Sequence, residues 1–268
     1  MRARCLLFCM FILFVIGISA DPGYAKIDPG TAVGIWLFDE DSGDTAGDSS
    51  RQANHGTLMN GPERVDGKLG KALSFNGANH VEVADSESLD IADAVTIVAW
   101  VYRRTSQTGW RVLVSREKGT GLEEHYFLGL SGSAARWFVH TQESEYSDTE
   151  IGPTVPNGEW IHMAGTYDGS DVILYINGQK EFTTSHSGVF TDDVNPVVMG
   201  AGTNNSGVSF VEHFDGIIDE VAIFDVALSE SDIKAIMSQG LDSVRAVSAS
   251  GKLATTWAGI RAPRLAKK

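Results

Sequence analysis

The densest set of hard oxygen donors in the chain lies in residues 39–54: Asp39, Glu40, Asp41, Asp44 and Asp48, with Asn54 closing the stretch. Calcium accepts carboxylates and backbone carbonyls in loose geometry, so an Asp/Ser/Gly loop of this kind suits it. The spacing is not that of an EF-hand. A second reading stays open beside the metal, because Asp also bonds its own backbone in turns. Glycoside hydrolysis would need two carboxylates facing one bond, about 5 Å or about 6.5–9.5 Å apart. Glu145, Asp148 and Glu150 lie in a loop-like context, and Asp219-Glu220 runs into Val-Ala-Ile without a third acid. The seven histidines show no close zinc spacing, and no G-x-S-x-G elbow is present. His162, beside Trp160 on a strand pattern, reads as a packing residue. The chain therefore reads as non-catalytic.

Binding chemistry would come from aromatics, which stack on apolar sugar faces while amides read the hydroxyls. Trp110 and Tyr146 lie in polar stretches and are the exposed candidates, with Asn204 and Asn205 supplying amides. Trp36, Trp100, Trp137 and Trp160 sit in strand patterns and read as core. The binding surface is accordingly expected on rim loops near residues 105–110, 143–150 and 201–208.

Short strands must position these groups. In residues 160–167, Trp160, His162, Ala164 and Thr166 alternate with Ile161, Met163, Gly165 and Tyr167. Asp168-Gly169 and Asn177-Gly178 are turn dipeptides, the second the stronger hairpin signal. Residues 95–103 (VTIVAWVYR) form a nearly continuous apolar strand, expected in mid-sheet. Residues 72–75 and 80–83 read as a hairpin across Asn76-Gly77. Residues 201–208 read as a mobile loop. One helix is expected over 229–239, with Ser229 and Asp232 as a capping box and Gly240 as its stop.

The motif Trp-x-His-x-Ala-x-Thr-Tyr-Asp-Gly at 160–169, followed by Leu-Tyr-Ile-Asn-Gly, resembles the laminin G-like jelly roll of the concanavalin A-like lectin/glucanase superfamily. Three more stretches agree: GIWLFDE at 34–40, GKLGKALSFNG at 67–77, and FDGIIDEVAIFDVALSESDI at 214–233. The resemblance covers residues 32–239. It implies an all-β, two-sheet antiparallel jelly-roll sandwich with one short C-terminal helix. It also implies a calcium site where the first strand and its loop meet a late strand, which nominates Asp39, Asp48 and Asp219. Ser50 stands where relatives often carry Gly in Asp-x-Ser-Gly. Glucanases of the superfamily place Glu-x-Asp-x-(x)-Glu on one strand face, and that motif is absent. One such sandwich serves many functions. A carbohydrate-binding module, a protein-adhesion or structural domain, and a glycoside hydrolase-like enzyme are thus the expectations, in that order.

Of 268 residues, 1–25 read as a signal peptide: Arg2 and Arg4, then an apolar run too short for a typical span, with cleavage after Ala25 or Ala20. Both cysteines, Cys5 and Cys9, fall inside it, so the mature protein has no disulfide. The chain is expected to be secreted, periplasmic or on the cell surface, and not membrane-bound after cleavage. Residues 26–240 form the domain and carry 13 Lys+Arg against 33 Asp+Glu; residues 241–268, a basic appended tail, carry 6 against 1. An acidic body of this kind repels phosphates, which excludes nucleic acid and suits neutral glycans, an extracellular protein ligand or cations.

Overall fold

A computed structural model describes residues 27–117, 124–142, 151–191, 194–204 and 209–244; the signal segment and residues 245–268 of the tail lie outside these. The first eight strands are β1 (Ala32–Trp36), β2 (Thr45–Ala46), β3 (Gly56–Met59), β4 (Glu63–Asp66), β5 (Lys71–Asn76), β6 (His80–Val83), β7 (Val95–Arg103) and β8 (Trp110–Glu117). They are followed by β9 (Glu124–Ser131), β10 (Ala134–Val139), β11 (Trp160–Tyr167), β12 (Asp171–Ile176) and β13 (Gln179–Ser185). The last are β14 (Val197–Met199), β15 (Gly202–Asn204), β16 (Ser209–Val211) and β17 (Asp215–Phe224), and then helix α1 (Glu230–Gln239).

Two antiparallel sheets face each other. Sheet A runs β13-β12-β11-β7-β17-β5-β4, and sheet B runs β10-β9-β8-β14-β6-β3-β2. β1 also pairs with β17, and it shares one flank of that strand with β5. β5 takes Asp215 to Ile218, and β1 takes Val221 to Phe224. Between these two partners the register of β17 against β7 shifts between Asp219 and Ala222. The bulge is needed because one strand serves two partners in succession.

The alternation read in β11 sets the layers. Ile161, Met163 and Tyr167 point into the sandwich beside Ile97 and Val101 of β7, against Val114, Leu128 and Trp137 of sheet B. Gly165 belongs to this face because a Cβ there would lie 2.1 Å from the Trp137 ring. The other face of sheet A carries a second apolar layer. Val98, Ala164 and Ala222 are covered by Ile233 and Ile236 of α1 and by Ile27, Leu241 and Val244. The packed body therefore runs past Gly240, the expected boundary. The helix itself starts at Ser229 with both halves of the capping box made.

Three local readings need correction. Asn177-Gly178 is a tight hairpin turn, with φ of 49° and 72°, but Asp168 is not in the left-handed region. Its Oδ1 instead accepts the amides of Ser170 (2.9 Å) and Asp171 (2.8 Å), making a wider turn. Asn76-Gly77 joins no hairpin: β5 lies in sheet A and β6 in sheet B, so this turn carries the chain across the sandwich. Residues 202–204 and 209–211 pair as a small hairpin, where a loop was expected.

Candidate binding site

Sheet B turns an aromatic strip outward. Phe127 of β9 and Phe138 of β10 are cross-strand partners, with rings stacked 4.7 Å apart at 7°. Gly129, two residues along β9, leaves the space this needs, since a Cβ there would lie 2.5 Å from the Phe127 ring. Trp110 opens β8 and stands edge-on to both rings, at 5.5 Å and 87° from Phe127 and 6.0 Å and 81° from Phe138. The Arg136 guanidinium lies 5.1 Å from the Trp110 ring centre, a cation–π arrangement that holds the indole upright. Trp110 is half-buried.

A wall closes one side of the strip. The β15–β16 hairpin lies against β8, where the backbone carbonyl of Glu212 accepts the Val112 amide at 3.1 Å. Phe210 of the hairpin stacks on His80 of β6, centroids 3.9 Å apart. Both His80 ring nitrogens are buried and unpartnered. Burial holds His80 down to about 4, and His213 beside it pushes the same way. Glu212 is raised by burial, with Arg111 opposing.

Trp110, read as an exposed loop residue, is half-buried and lies on a strand. Asn204 ends β15, paired with Ser209. Tyr146 and Asn205 lie outside the described residues. Phe127, Phe138 and Arg136 were missed. Their signal was the outward register of β9 and β10, which the sequence could not fix without knowing which face the hairpin covers. Trp36, Trp100 and Trp137 are buried as expected, whereas Trp160, read as core, is only half-buried. His162 is a packing residue, but both its ring nitrogens are without partners, and burial holds it down to about 3.

The three carboxylates nominated for calcium do not converge. Asp48 accepts from the amides of Ile35 (2.9 Å), Ser50 (2.7 Å) and Asn54 (2.8 Å) and from the Ser50 hydroxyl (2.7 Å). Both its oxygens are committed to shaping the loop. Asp39 and Asp219 meet elsewhere, at the turn before β5. Asp39 accepts the Lys71 amide at 2.7 Å, and Asp219 Oδ2 accepts those of Lys68 (2.7 Å) and Leu69 (3.0 Å). Among the described residues no three His, Cys, Asp or Glu side chains are grouped to hold a metal ion. The donor set does not fit one calcium ion shared by Asp39, Asp48 and Asp219. Burial raises Asp219 and Glu220 each to about 7. At 0 % and 5 % exposure, neither is placed to meet a substrate arriving from solvent. A cavity of about 350 Å³ lies apart from the aromatic strip, lined by Glu87, Asp90, Asp93 and Asp225 among others, without an aromatic ring.

A family model described as the concanavalin A-like lectin/glucanases superfamily, of laminin G type, matches residues 75–234. Mouse pappalysin-1 is 28% identical over 149 residues, 53% of this chain and 8% of that protein. The chain thus spans less than a tenth of this curated relative. Domain 4 of AbnA, a GH43 extracellular arabinanase from Geobacillus stearothermophilus in complex with arabinotriose, superposes with a TM-score of 0.60 at 21% identity, covering 77% of this chain and 98% of that one. The binding domain of Paraclostridial Mosquitocidal Protein 1 gives 0.61 at 19%, covering 78% and 52%. At these identities the likeness is one of fold.

Proposed function

Because the chain belongs to the concanavalin A-like lectin/glucanases superfamily, we propose that it is an exported, non-catalytic module that binds a neutral glycan on the outer face of sheet B, around Trp110. The observation that carries this is the Trp110 indole itself. It is half-buried, propped edge-on by two phenyl rings and a guanidinium, and among the described residues its Nε1 has no hydrogen-bond partner. The buried Trp36 and Trp137 differ: each gives its Nε1–H to a backbone carbonyl, of Asn54 (2.8 Å) and Thr166 (3.1 Å). A rigid ring with an unused donor suits a sugar's apolar face and rim hydroxyls.

Charge agrees with this choice of ligand, since the body's acidic excess disfavours anionic partners. Export is read from the apolar run before residue 25. Among the described residues no helix is long and apolar enough to cross a membrane. The non-catalytic reading rests on the burial of Asp219 and Glu220 and on the missing strand-borne carboxylate motif. The solved structure with arabinotriose supplies one sugar class for the first trials.

The test is binding of the secreted protein to a broad glycan panel, in calcium and in EDTA, beside Trp110→Ala. Losing one central aromatic anchor costs about 2 kcal/mol or more, so the variant should bind some thirty-fold more weakly, at about 1.4 kcal/mol per tenfold. A folded Trp110→Ala that binds as well as the wild type removes the site.

A further inference from the structure

The outer face of sheet A is divided. α1 covers the part that carries Val98, Ala164 and Ala222. At the other end of the same strands, four aromatic side chains point outward in a two-by-two block. Trp160 pairs in register with Tyr102, and His162 with Trp100. The Tyr102 and Trp160 rings are 5.6 Å apart, tilted at 55°, and both are half-buried. The Trp100 and His162 rings are 5.2 Å apart, edge to face.

The polar atoms of this block are unspent. Trp100 Nε1 and both ring nitrogens of His162 are buried without a partner. Among the described residues the Tyr102 hydroxyl and Trp160 Nε1 have no hydrogen-bond partner either. Three core aromatics of this chain are satisfied, Trp36 and Trp137 by backbone carbonyls and Tyr167 by the Gly188 carbonyl at 2.6 Å, while the buried Tyr126 hydroxyl is a single unmet atom. A purely structural aromatic cluster has no reason to leave several buried polar atoms unmet, because each carries a desolvation cost. The Tyr102 and Trp160 rings are half-exposed, and the Trp100 ring, 6 % exposed, lies under a movable cover. The ammonium of Lys68, an exposed residue, sits 4.5 Å from the Trp100 ring centre, a position that a ligand could take by displacing a flexible side chain.

From this geometry we propose that Tyr102, Trp160 and Trp100 form a second glycan platform on the face of the sandwich opposite Trp110. The inference rests on the carbohydrate reading above. Flat rings offer stacking, and the ring N–H and O–H groups offer both donors and an acceptor to sugar hydroxyls. Arg104 pairs with Asp215 at 3.0 Å, and Lys68, the cation over the Trp100 ring, is the side chain that a ligand displaces, so recognition falls to the uncharged rings. A peptide would need a run of apolar anchors, and here Ile217, the partner of Tyr102 on β17, is the aliphatic neighbour in register. Platforms on opposite faces cannot grip one sugar together, so the protein is bivalent and joins two chains of a polysaccharide.

The experiment follows indole N–H signals of the whole secreted protein by NMR, assigned with single Trp→Phe variants, during titration with cellotetraose, mannotetraose and arabinotriose. The signals of Trp160 and Trp100 should move and saturate with at least one sugar, separately from that of Trp110, while those of Trp36 and Trp137 stay. Trp160→Ala should then reduce the sites per molecule from two to one; Tyr102→Phe, which keeps the ring, should weaken that site severalfold. Movement of Trp110 alone overturns this proposal and leaves the first site standing. A titration in which no indole moves overturns both.

Discussion

Truncating Asp48 should cost more stability than any other single surface carboxylate, and the cost should not depend on calcium. Its carboxylate is the shared acceptor for three backbone amides and one hydroxyl, at 2.7–2.9 Å. The loop it shapes is coupled to the core: Asn54, whose amide it accepts, gives its side-chain N–H to the Val33 carbonyl (2.7 Å) and receives the Trp36 indole proton at its own carbonyl. At about 1 kcal/mol net per hydrogen bond, discounted because the site is only half-buried, Asp48→Ala should lose about 3 kcal/mol. A protein of this size shifts by about 2–4 °C per kcal/mol, so melting should fall by about 6–12 °C. Asp48→Asn should fall in between. It keeps one acceptor oxygen for Ile35 and Ser50, but turns its NH2 group toward the Asn54 amide, donor against donor. The assay is a thermal melt of the three proteins, each in calcium and in EDTA. A drop under 2 °C, or one seen only with calcium present, would refute the hydrogen-bond account.

Two pH trends should oppose each other. Asp219 and Glu220, raised to about 7, keep protons in the folded state that the unfolded chain releases near its ordinary 3.8 and 4.5. Their contribution to stability is therefore lost as pH rises from about 4 through 7. Asp219→Asn should melt higher than the wild type by a margin that grows between pH 4.5 and pH 8; a constant margin would count against burial as the cause. His162, held down to about 3, works in reverse, since the unfolded chain gains a proton below its ordinary 6.5. His162→Leu should gain on the wild type as pH falls from 8 to 5. Gly165→Ala, which sets a methyl 2.1 Å from the Trp137 ring, should cost about 1–3 kcal/mol by overpacking; an unchanged melt would show that the two sheets can separate there.

What could be read from the sequence was what is local. The β11 alternation, the Asn177-Gly178 turn and the Ser229 cap depend on residues within a few positions of one another, and all three stand as read. Asn76-Gly77 has the same turn chemistry as Asn177-Gly178, yet it carries the chain between sheets. β6 is taken up in sheet B between β3, some twenty residues earlier, and β14, more than a hundred residues later, and the turn specifies neither partner. Trp160 was misplaced for a similar reason. Its strand pattern was read as core, but it stands on the outer face of sheet A, and whether a residue there is covered depends on where α1 ends. Asp219 was legible as important, as a metal ligand or as a buried hydrogen-bond acceptor, and its Oδ2 accepts two amides of the turn before β5. Nothing local to Asp219 reveals a partner some 150 residues upstream.

The pairing of β1 with β17 also governs when the fold can form. The first strand of sheet A finds its partner near the far end of the domain, in register from Ala32 with Phe224 to Trp36 with Val221. Contacts so distant along the chain demand loop closure before they return any stability, which makes such topologies slow to fold. A chain still missing residues 215–224 lacks the strand that joins β7, β5 and β1, so the flanks of all three stay open. The two parts of sheet A, β13-β12-β11-β7 and β5-β4, therefore cannot join until β17 has been made, and an emerging chain carries their open edges until then.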